Sequence, residues 1–187
     1  MHKRQIFDIE PSDWRELQRL VRQVFLEMGC HATCDVPVQT VRGSVNVDVL
    51  AVDHSRPPYG TYIVECKRWK RRVPQTVVHA FRTVVADSGA HGGFIVSEMG
   101  FQKGALDAVR KSNVTLLTWI EFQELFYERW VNAKGVALQR AAMEIREFMH
   151  GMSKANIGLD RKSLSELAIA DPAAFDMIVE RVKAALK

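Results

Sequence analysis

The sequence predicts an α/β fold, with a mixed β-sheet of about five strands flanked by helices and a helical extension at the C-terminus. Three observations lead to this class. Strand-forming segments joined by short turns follow one another between Cys30 and Lys67, and strands then alternate with helices as far as Trp119. Residues 131–187 contain no convincing strand pattern, which separates them from the rest.

The first predicted element is a helix that begins after Pro11-Ser12-Asp13 and ends at Gly29. Its apolar positions repeat every 3.6 residues, as expected for one buried face: Trp14, Leu17, Val21, Val24, Phe25 and Met28. Asp13 and Glu16 have the spacing of a capping box, which favours a structural role for Glu16.

Three strands are predicted next, and the simplest arrangement for them is an antiparallel meander. The first covers Cys30–Val38, and a turn at residues 41–44 leads into the second, Asn46–Asp53. The third is Tyr62–Lys67, and the loop at residues 54–60 contains two prolines and a glycine that cannot continue a strand ladder. These two last strands therefore form a hairpin.

Alternation of helix and strand follows. A helix begins at Pro74 and ends at Gly89, Gly92–Ser97 is a buried strand, Phe101–Lys111 is a helix and Val114–Trp119 is a fifth strand. This order implies parallel pairing with right-handed crossovers, so the sheet is mixed and has helices on both faces.

The chain is expected to divide into a domain at residues 1–130 and a helical extension at residues 131–187. A helix containing Phe122 and Trp130 closes the domain, and the extension has three helical patterns, at residues 133–150, at 163–170 and after Asp171-Pro172. The extension either packs on the domain or mediates a homodimer through the C-terminal helices.

The amino-acid composition limits the classes of protein to which this chain can belong. The 187 residues are 47% hydrophobic and 26% charged, as in ordinary globular proteins. No apolar run approaches the roughly 20 residues of a membrane span, and no signal-peptide core follows the first residues, so we expect a cytoplasmic protein without a membrane partner.

Three charged residues in the predicted hairpin point to chemistry. Side chains two apart share a face of a strand, so Glu65 and Lys67 lie side by side, while Val64 and Cys66 point to the buried side. If Asp48 on the paired strand joins them, two carboxylates meet in an apolar setting, where a cation such as Mg²⁺ would offset their repulsion. The simpler alternative is a surface salt bridge between Glu65 and Lys67.

A basic loop, Arg68–Arg72, follows the third strand directly and consists of Arg68, Trp69, Lys70, Arg71 and Arg72. The net charge of +4 is modest, but its concentration here would draw a polyanion towards the carboxylates. A solvated charged loop is the alternative. On the next helix, Gln75 and His79 lie on one face and either line the same cleft or are simply hydrated.

Asp48 followed by Glu65-x-Lys67 at the end of the next strand resembles the PD-(D/E)xK nuclease superfamily, and the surrounding residues resemble its Mrr-type restriction endonuclease branch. The resemblance covers residues 14–127 and continues in order through Phe94–Ser97, the helix start at Phe101 and Val114–Trp119. It implies a restriction-endonuclease-like fold and an Mg²⁺-dependent (or Mn²⁺-dependent) deoxyribonuclease that hydrolyses phosphodiester bonds in DNA.

The resemblance also implies roles for individual residues. Asp48, Glu65 and the backbone carbonyl of Cys66 would hold the metal, Lys67 would position or activate a water, and Gln75 would be accessory. The basic loop, with Trp69, would contact the DNA backbone.

One position departs from the family pattern, because Gln18 lies where such proteins tend to carry a glutamate, for which Glu16 or Glu27 would be the substitute. This departure and the helical extension leave open a catalytically inactive DNA-binding or scaffold module of the same fold. A nuclease for branched DNA is a second alternative, which obligate dimerisation through the extension would favour. The recognised DNA sequence, any methylation requirement and the number of metal ions have no signature in the sequence.

Overall fold

The fold is taken from a computed structural model that describes residues 4–55 and 57–186. It divides into two compact units, Met1–Lys134 and Gly135–Lys187. The elements in chain order are α1 (Trp14–Glu27), β1 (His31–Thr40), β2 (Gly43–Asp53), β3 (Gly60–Lys67), α2 (Gln75–Asp87), β4 (Gly92–Ser97), α3 (Lys103–Ala108), β5 (Val114–Thr118), α4 (Trp119–Lys154), α5 (Arg161–Ala170) and α6 (Pro172–Leu186).

The first unit contains one five-stranded sheet, in the order β1-β2-β3-β4-β5. The β1–β2 and β2–β3 pairs are antiparallel, whereas β3–β4 and β4–β5 are parallel. The meander and the two helical crossovers predicted from the sequence are thereby confirmed. Arg56, in the predicted loop between β2 and β3, lies outside the described residues.

Both faces of this sheet are covered. One apolar cluster lies between the sheet, α1 and the first turns of α4, and it includes Val21, Phe25, Val64 and Phe122. The other contains residues of α2 and α3 with the opposite face of the strands, including Ile63, Val78, Phe81, Ile95 and Ala105. Strands that are buried on both faces form a rigid base for the side chains at their ends.

Helix α1 begins as its sequence predicts. The Asp13 carboxylate accepts a hydrogen bond from the Glu16 amide (2.8 Å), and the Glu16 carboxylate accepts one from the Ser12 amide (2.7 Å). Asp13 therefore caps the helix, and the Glu16 carboxylate is engaged at the same end. Glu27, at the other end, accepts a hydrogen bond from the Trp130 indole (2.6 Å), so neither glutamate is directed at Asp48.

Two helices differ from their predicted bounds. Helix α3 is shorter than Phe101–Lys111, because Phe101 forms a bridge with Val73 and Lys111 has a left-handed backbone (φ 57°), which ends the helical pattern early. The helices predicted before and after residue 131 are one continuous helix, α4, because no proline interrupts it and its two glycines, Gly135 and Gly151, are tolerated at modest cost.

The second unit is a small helical unit built from α5, α6 and the C-terminal part of α4. Met152, Leu164 and Val182 are its buried centre. Gly151 lets α4 and α6 approach closely, since a Cβ at this position would lie 2.6 Å from a methyl carbon of Val182. No helix in the described part of the chain is both long enough and apolar enough to cross a membrane.

Candidate active site

The central carboxylate, Asp48, lies at a break in the β1–β2 ladder. Cys34 pairs with Val49 and Val36 pairs with Val47, but between them no ladder pair joins Asp35 to Asp48. Asp35 has a left-handed backbone (φ 53°), a conformation that aspartate tolerates better than most residues. The break leaves Asp48 at a local distortion of an otherwise regular hairpin.

This break also changes which face of the sheet the hairpin covers. Cys34 and Val49 pack in the cluster that includes α1, whereas Val36 and Val47, two residues further along each strand, pack in the cluster that includes α2. Asp48 therefore lies at the boundary between the two cores, where its side chain can reach both α1 and β3.

Two hydrogen bonds hold the Asp48 carboxylate. Oδ2 accepts from the backbone N–H of Cys66 on β3 (2.7 Å), and Oδ1 accepts from Nε2 of Gln18 on α1 (2.8 Å). The Gln18 side chain is buried, with the residue only 2% exposed. The carboxylate is thus oriented from two directions by neighbours that are far away in sequence.

Glu65 and Lys67 lie next to each other on β3, and the Lys67 ammonium donates a hydrogen bond to Glu65. Their side chains are 23% and 18% exposed, respectively, so water reaches both. Val64 and Cys66 alternate with them and pack in the core beneath α1, as the strand periodicity predicts. Asp48, Glu65 and Lys67 therefore form one partly buried cluster at the end of β3.

The cluster carries an electrostatic cost. Burial raises the pKa of the Glu65 carboxyl above its ordinary value, and the Asp48 carboxylate raises it further, while the hydrogen bond from Lys67 acts in the opposite direction. Burial also raises the pKa of the Cys66 thiol, so this thiol stays neutral and only the Cys66 backbone is available to the site. Negative charge is therefore in excess near Glu65.

The donors suit a hard divalent cation. Carboxylate oxygens and water are the ligands that Mg²⁺ and Mn²⁺ prefer, and one or two carboxylates commonly suffice. Within residues 4–55 and 57–186, three or more His, Cys, Asp or Glu side chains do not come together as a metal cluster. A metal ion here would be held by Asp48 and Glu65, with backbone, water or substrate oxygens completing its coordination.

Glu65 and Lys67 line a pocket of about 300 Å³, together with Asn46, Trp69 and apolar side chains of α2. A second pocket, of about 460 Å³, is lined by Arg68 and Leu17 among others. We place the candidate site at the first pocket, although it is the smaller of the two, because Glu65 and Lys67 line it. Asp48 is not among its lining residues and joins the site through its hydrogen bond with the Cys66 amide.

Arg68 has a mainly structural environment. Its Nε donates to the carbonyl oxygen of Pro11 (2.8 Å), and its guanidinium lies 3.6 Å from the Glu98 carboxylate. Of the five residues in the basic loop, Arg68 is therefore the one most engaged within the protein.

The remaining cations of the basic loop are free to meet a ligand. Lys70, Arg71 and Arg72 are exposed, and among the described residues none of them forms an ion pair. Trp69 has two cations near its ring, with Lys67 Nζ and the Arg71 guanidinium carbon each 5.4 Å from the ring centre. The loop thus presents positive charge and one aromatic ring directly beside the carboxylates.

Gln75 lies apart from the residues that line the pocket with Glu65 and Lys67. Its Nε2 lies 2.9 Å from Nε2 of His79, and its Oε1 packs against Gly104 of α3, where an added Cβ would be 2.8 Å away. It does not line the pocket that contains Glu65 and Lys67. The structure brings Asp48, Glu65 and Lys67 together but gives no support to the accessory role predicted for Gln75.

Comparison with known proteins identifies two successive regions. The family model for the Mrr catalytic domain, described as "Restriction endonuclease", matches residues 9–126. A model described as "Ribosomal protein L20" matches residues 120–178. The two ranges share only residues 120–126, so they describe different parts of one chain.

Curated relatives include ribosomal proteins of the bL20 type. The large ribosomal subunit protein bL20 of Methylobacterium nodulans is 44% identical over 61 residues, which are 33% of this chain and 49% of the relative. The bL20 protein of Rhodopirellula baltica is 36% identical over 95 residues, covering 46% of this chain and 80% of the relative. The chain thus spans about half the length of the first of these relatives and four-fifths of the second.

One solved structure supports the fold, and a second is reported beside it. A protein of unknown function, AF1548, covers 92% of this chain and 98% of its own length, with a TM-score of 0.51 and 18% identity. The MspJI restriction endonuclease, solved in complex with a 27-mer oligonucleotide, covers 66% of this chain and 30% of its own, with a TM-score of 0.38 and 16% identity. Through residues 9–126, well over half of its length, the chain belongs to the Mrr-type restriction endonuclease family, and the following region, to residue 178, is related to ribosomal protein L20.

Proposed function

We propose that the chain is an Mg²⁺-dependent or Mn²⁺-dependent endonuclease that hydrolyses phosphodiester bonds in DNA. The observation that carries this proposal is the partly buried cluster of Asp48, Glu65 and Lys67. Burial of two carboxylates is costly unless a cation offsets it, and the raised pKa of Glu65 is the sign of that cost. The membership of residues 9–126 in a restriction endonuclease family supports the same reaction.

Each residue of the cluster has a role that follows from its contacts. Asp48 is held by Gln18 and the Cys66 amide, so its free lone pairs have a fixed direction. Lys67, anchored by Glu65, presents an ammonium that can orient a water molecule and offset charge on a phosphate oxygen. A bound divalent ion would activate the water and withdraw charge from the phosphate.

The basic loop would hold the substrate. Lys70, Arg71 and Arg72 can contact phosphates without reading the base sequence, and Trp69 can pack against a sugar or an unstacked base. Because the loop follows Lys67 directly, DNA bound there would bring a phosphodiester to the carboxylates. Binding of this kind is expected to depend strongly on salt.

Plasmid cleavage by the native protein and by Lys67→Ala tests the proposal. Supercoiled plasmid, methylated and unmethylated, is incubated with Mg²⁺, Mn²⁺ or EDTA, and DNA binding is measured in parallel by gel shift. We expect metal-dependent nicking or linearisation that Lys67→Ala abolishes, with binding nearly unchanged because one cation among several is lost.

Two other outcomes would count against the proposal. Intact binding without cleavage in any metal would favour the non-cutting DNA-binding module. An equal loss of binding and cleavage in Lys67→Ala would contradict the catalytic role of this lysine.

A second function is supported by the C-terminal region. The L20 family model matches residues 120–178, and the chain is 44% identical over 61 residues to a large ribosomal subunit protein. The nuclease hypothesis does not explain this likeness. We propose that this region binds the large ribosomal subunit, and that the chain thereby carries a nuclease site and a ribosome-binding unit. Packing on the nuclease domain and homodimerisation stay predictions for the same helices.

Sedimentation with purified large ribosomal subunits tests this second function. Gly151→Val should abolish co-sedimentation, because the added side chain would collide with Val182 and disrupt the second unit. Gly158→Ala is the matched control, since an added Cβ there meets nothing within 4 Å. Plasmid cleavage should be the same in both variants, and equal co-sedimentation of both would contradict the assignment.

A further inference from the structure

We propose that Gln18 is a positioning residue that makes this a site for a single divalent metal ion, an inference that rests on the metal-dependent function proposed above. Gln18 is 2% exposed and lies on α1 among buried apolar residues. A buried amide is costly unless it is hydrogen-bonded, and Gln18 directs its Nε2 to Asp48 rather than to the backbone. The hydrogen bond to Asp48 thus accounts for a buried amide side chain at position 18.

Together, Gln18 and the Cys66 amide fix the rotation of the Asp48 carboxylate. One hydrogen bond reaches each oxygen, at 2.8 Å for Oδ1 and 2.7 Å for Oδ2. An ionised carboxylate has about four lone-pair positions, so about two are left for a ligand. Because the two hydrogen bonds prevent the Asp48 carboxylate from rotating, these two lone-pair positions have fixed directions. This geometry favours one well-defined metal position.

The formal charges of the cluster also favour a single metal ion. Asp48 and Glu65 are the two carboxylates of the cluster, Lys67 is its cation, and Gln18 adds a hydrogen bond without adding charge. The formal charge of the cluster is therefore about −1, and one divalent ion would turn it to about +1, which matches the single negative charge of a phosphodiester. A second divalent ion would find no further carboxylate, since the described residues contain no larger acidic group at this site.

Replacing Gln18 by glutamate tests this balance with little change in size. A glutamate here, 2.8 Å from Asp48, would share a proton with it until a metal ion displaces that proton; it would then lose the hydrogen bond and add a negative charge that a second cation can offset. Replacing Gln18 by leucine removes the hydrogen bond without adding charge. The two variants thus separate the charge of residue 18 from its hydrogen bond.

Gln123 provides a matched control. It is also a fully buried glutamine of the first unit, and its Oε1 accepts hydrogen bonds from the amides of Ile6 (3.2 Å) and Phe7 (2.8 Å). A glutamate at this position would keep both acceptor contacts while burying the same new charge. Gln123→Glu therefore reports the effect of an added buried carboxylate that is not directed at Asp48.

The experiment measures Mn²⁺ binding to the full chain by the electron paramagnetic resonance signal of free Mn²⁺, with no DNA present. We expect one Mn²⁺ per chain for the native protein and for Gln123→Glu, and two for Gln18→Glu. Gln18→Leu should keep one site with roughly 10-fold to 100-fold weaker affinity, the usual effect of losing a group that orients a metal ligand. Circular dichroism in EDTA establishes that each variant is folded.

The failures of this inference and of the proposed function can be told apart. Two Mn²⁺ ions on the native protein would overturn the single-metal assignment, and one on a folded Gln18→Glu would show that Gln18 does not set the number of metal ions. Both results leave a metal-dependent nuclease standing. No Mn²⁺ on the native protein would overturn both. Unchanged affinity in folded Gln18→Leu would show that Gln18 does not position Asp48.

Discussion

Neutralising the exposed cations of the basic loop should change how DNA binding responds to salt. In the variant Lys70→Gln, Arg71→Gln, Arg72→Gln, three side chains lose their charge, and none of the three has an ion pair elsewhere in the described structure. Each phosphate contact contributes about 0.9 to the slope of log K against log salt for B-form DNA, so the slope should become shallower by up to about 2.7.

This difference is large enough to measure. Between about 50 mM and about 200 mM salt, a slope difference of about 2.7 means that the native protein loses roughly 40-fold more affinity than the variant. Fluorescence anisotropy with a labelled duplex, in EDTA to prevent cleavage, measures both slopes. The assay uses affinity ratios, so it does not depend on the absolute affinity.

A control with the same change in net charge makes the result specific. Arg4, Arg19 and Arg110 are also exposed, but each is already paired with a surface carboxylate, at 2.6, 2.8 and 2.9 Å. Their replacement by glutamine should leave the slope close to native. If the two triple variants have equal slopes, DNA does not bind at the basic loop and the position of the substrate must be sought elsewhere.

Two further predictions concern the stability of the fold. Gly93→Ala on β4 should lower the free energy of unfolding, measured in urea, by roughly 1–3 kcal/mol, because the added Cβ would lie 2.7 Å from a ring carbon of Phe81. Gly135→Ala, where an added Cβ meets nothing within 4 Å, should instead raise the free energy of unfolding slightly. Asp53, paired with Arg129 at 2.6 Å, has a pKa below its ordinary value of 3.8, because hydrogen bonds and this ion pair outweigh the effect of burial. The native protein should therefore have a higher free energy of unfolding than Asp53→Asn at pH 7, and this difference should vanish as the pH falls through that lowered pKa. An equal difference at pH 7 and pH 2 in urea titrations would contradict this prediction.

The regular parts of the fold were predictable because their signals are local. Alternation along β3 places Glu65 and Lys67 on one face, and the order of strands and helices after Lys67 leaves parallel pairing as the economical arrangement. Helix ends were less predictable. The bridge of Phe101 to Val73, which shortens α3, joins residues 28 apart and has no signature near either of them.

The site was predictable in its charges but not in its geometry. The sequence shows Asp48 in the middle of a strand, yet the ladder break opposite Asp35 that frees its side chain depends on the backbone of a neighbouring strand. The contact between Gln18 and Asp48 crosses 30 residues and is created by the packing of α1 on the sheet. Periodicity within an element cannot reveal contacts of this kind, because it describes only which side chains share a face.

The distribution of charge separates the two proposed binding activities. Five of the six residues at positions 67–72 are cationic, whereas residues 135–187 contain eight Lys and Arg against seven Asp and Glu. If both proposals hold, long-range attraction of nucleic acid resides in the first unit, and the second unit would recognise the ribosomal subunit chiefly through shape and short-range contacts. Binding to the large ribosomal subunit should thus persist at salt concentrations that release DNA.

The triple variant of the basic loop tests this separation in a chain that contains both units. Lys70→Gln, Arg71→Gln, Arg72→Gln should weaken DNA binding but leave co-sedimentation with the large ribosomal subunit unchanged, whereas Gly151→Val should do the reverse. A parallel loss of both activities in the triple variant would mean that the basic loop holds ribosomal particles merely as polyanions. The likeness to L20 would then describe the ancestry of the second unit and not a second partner.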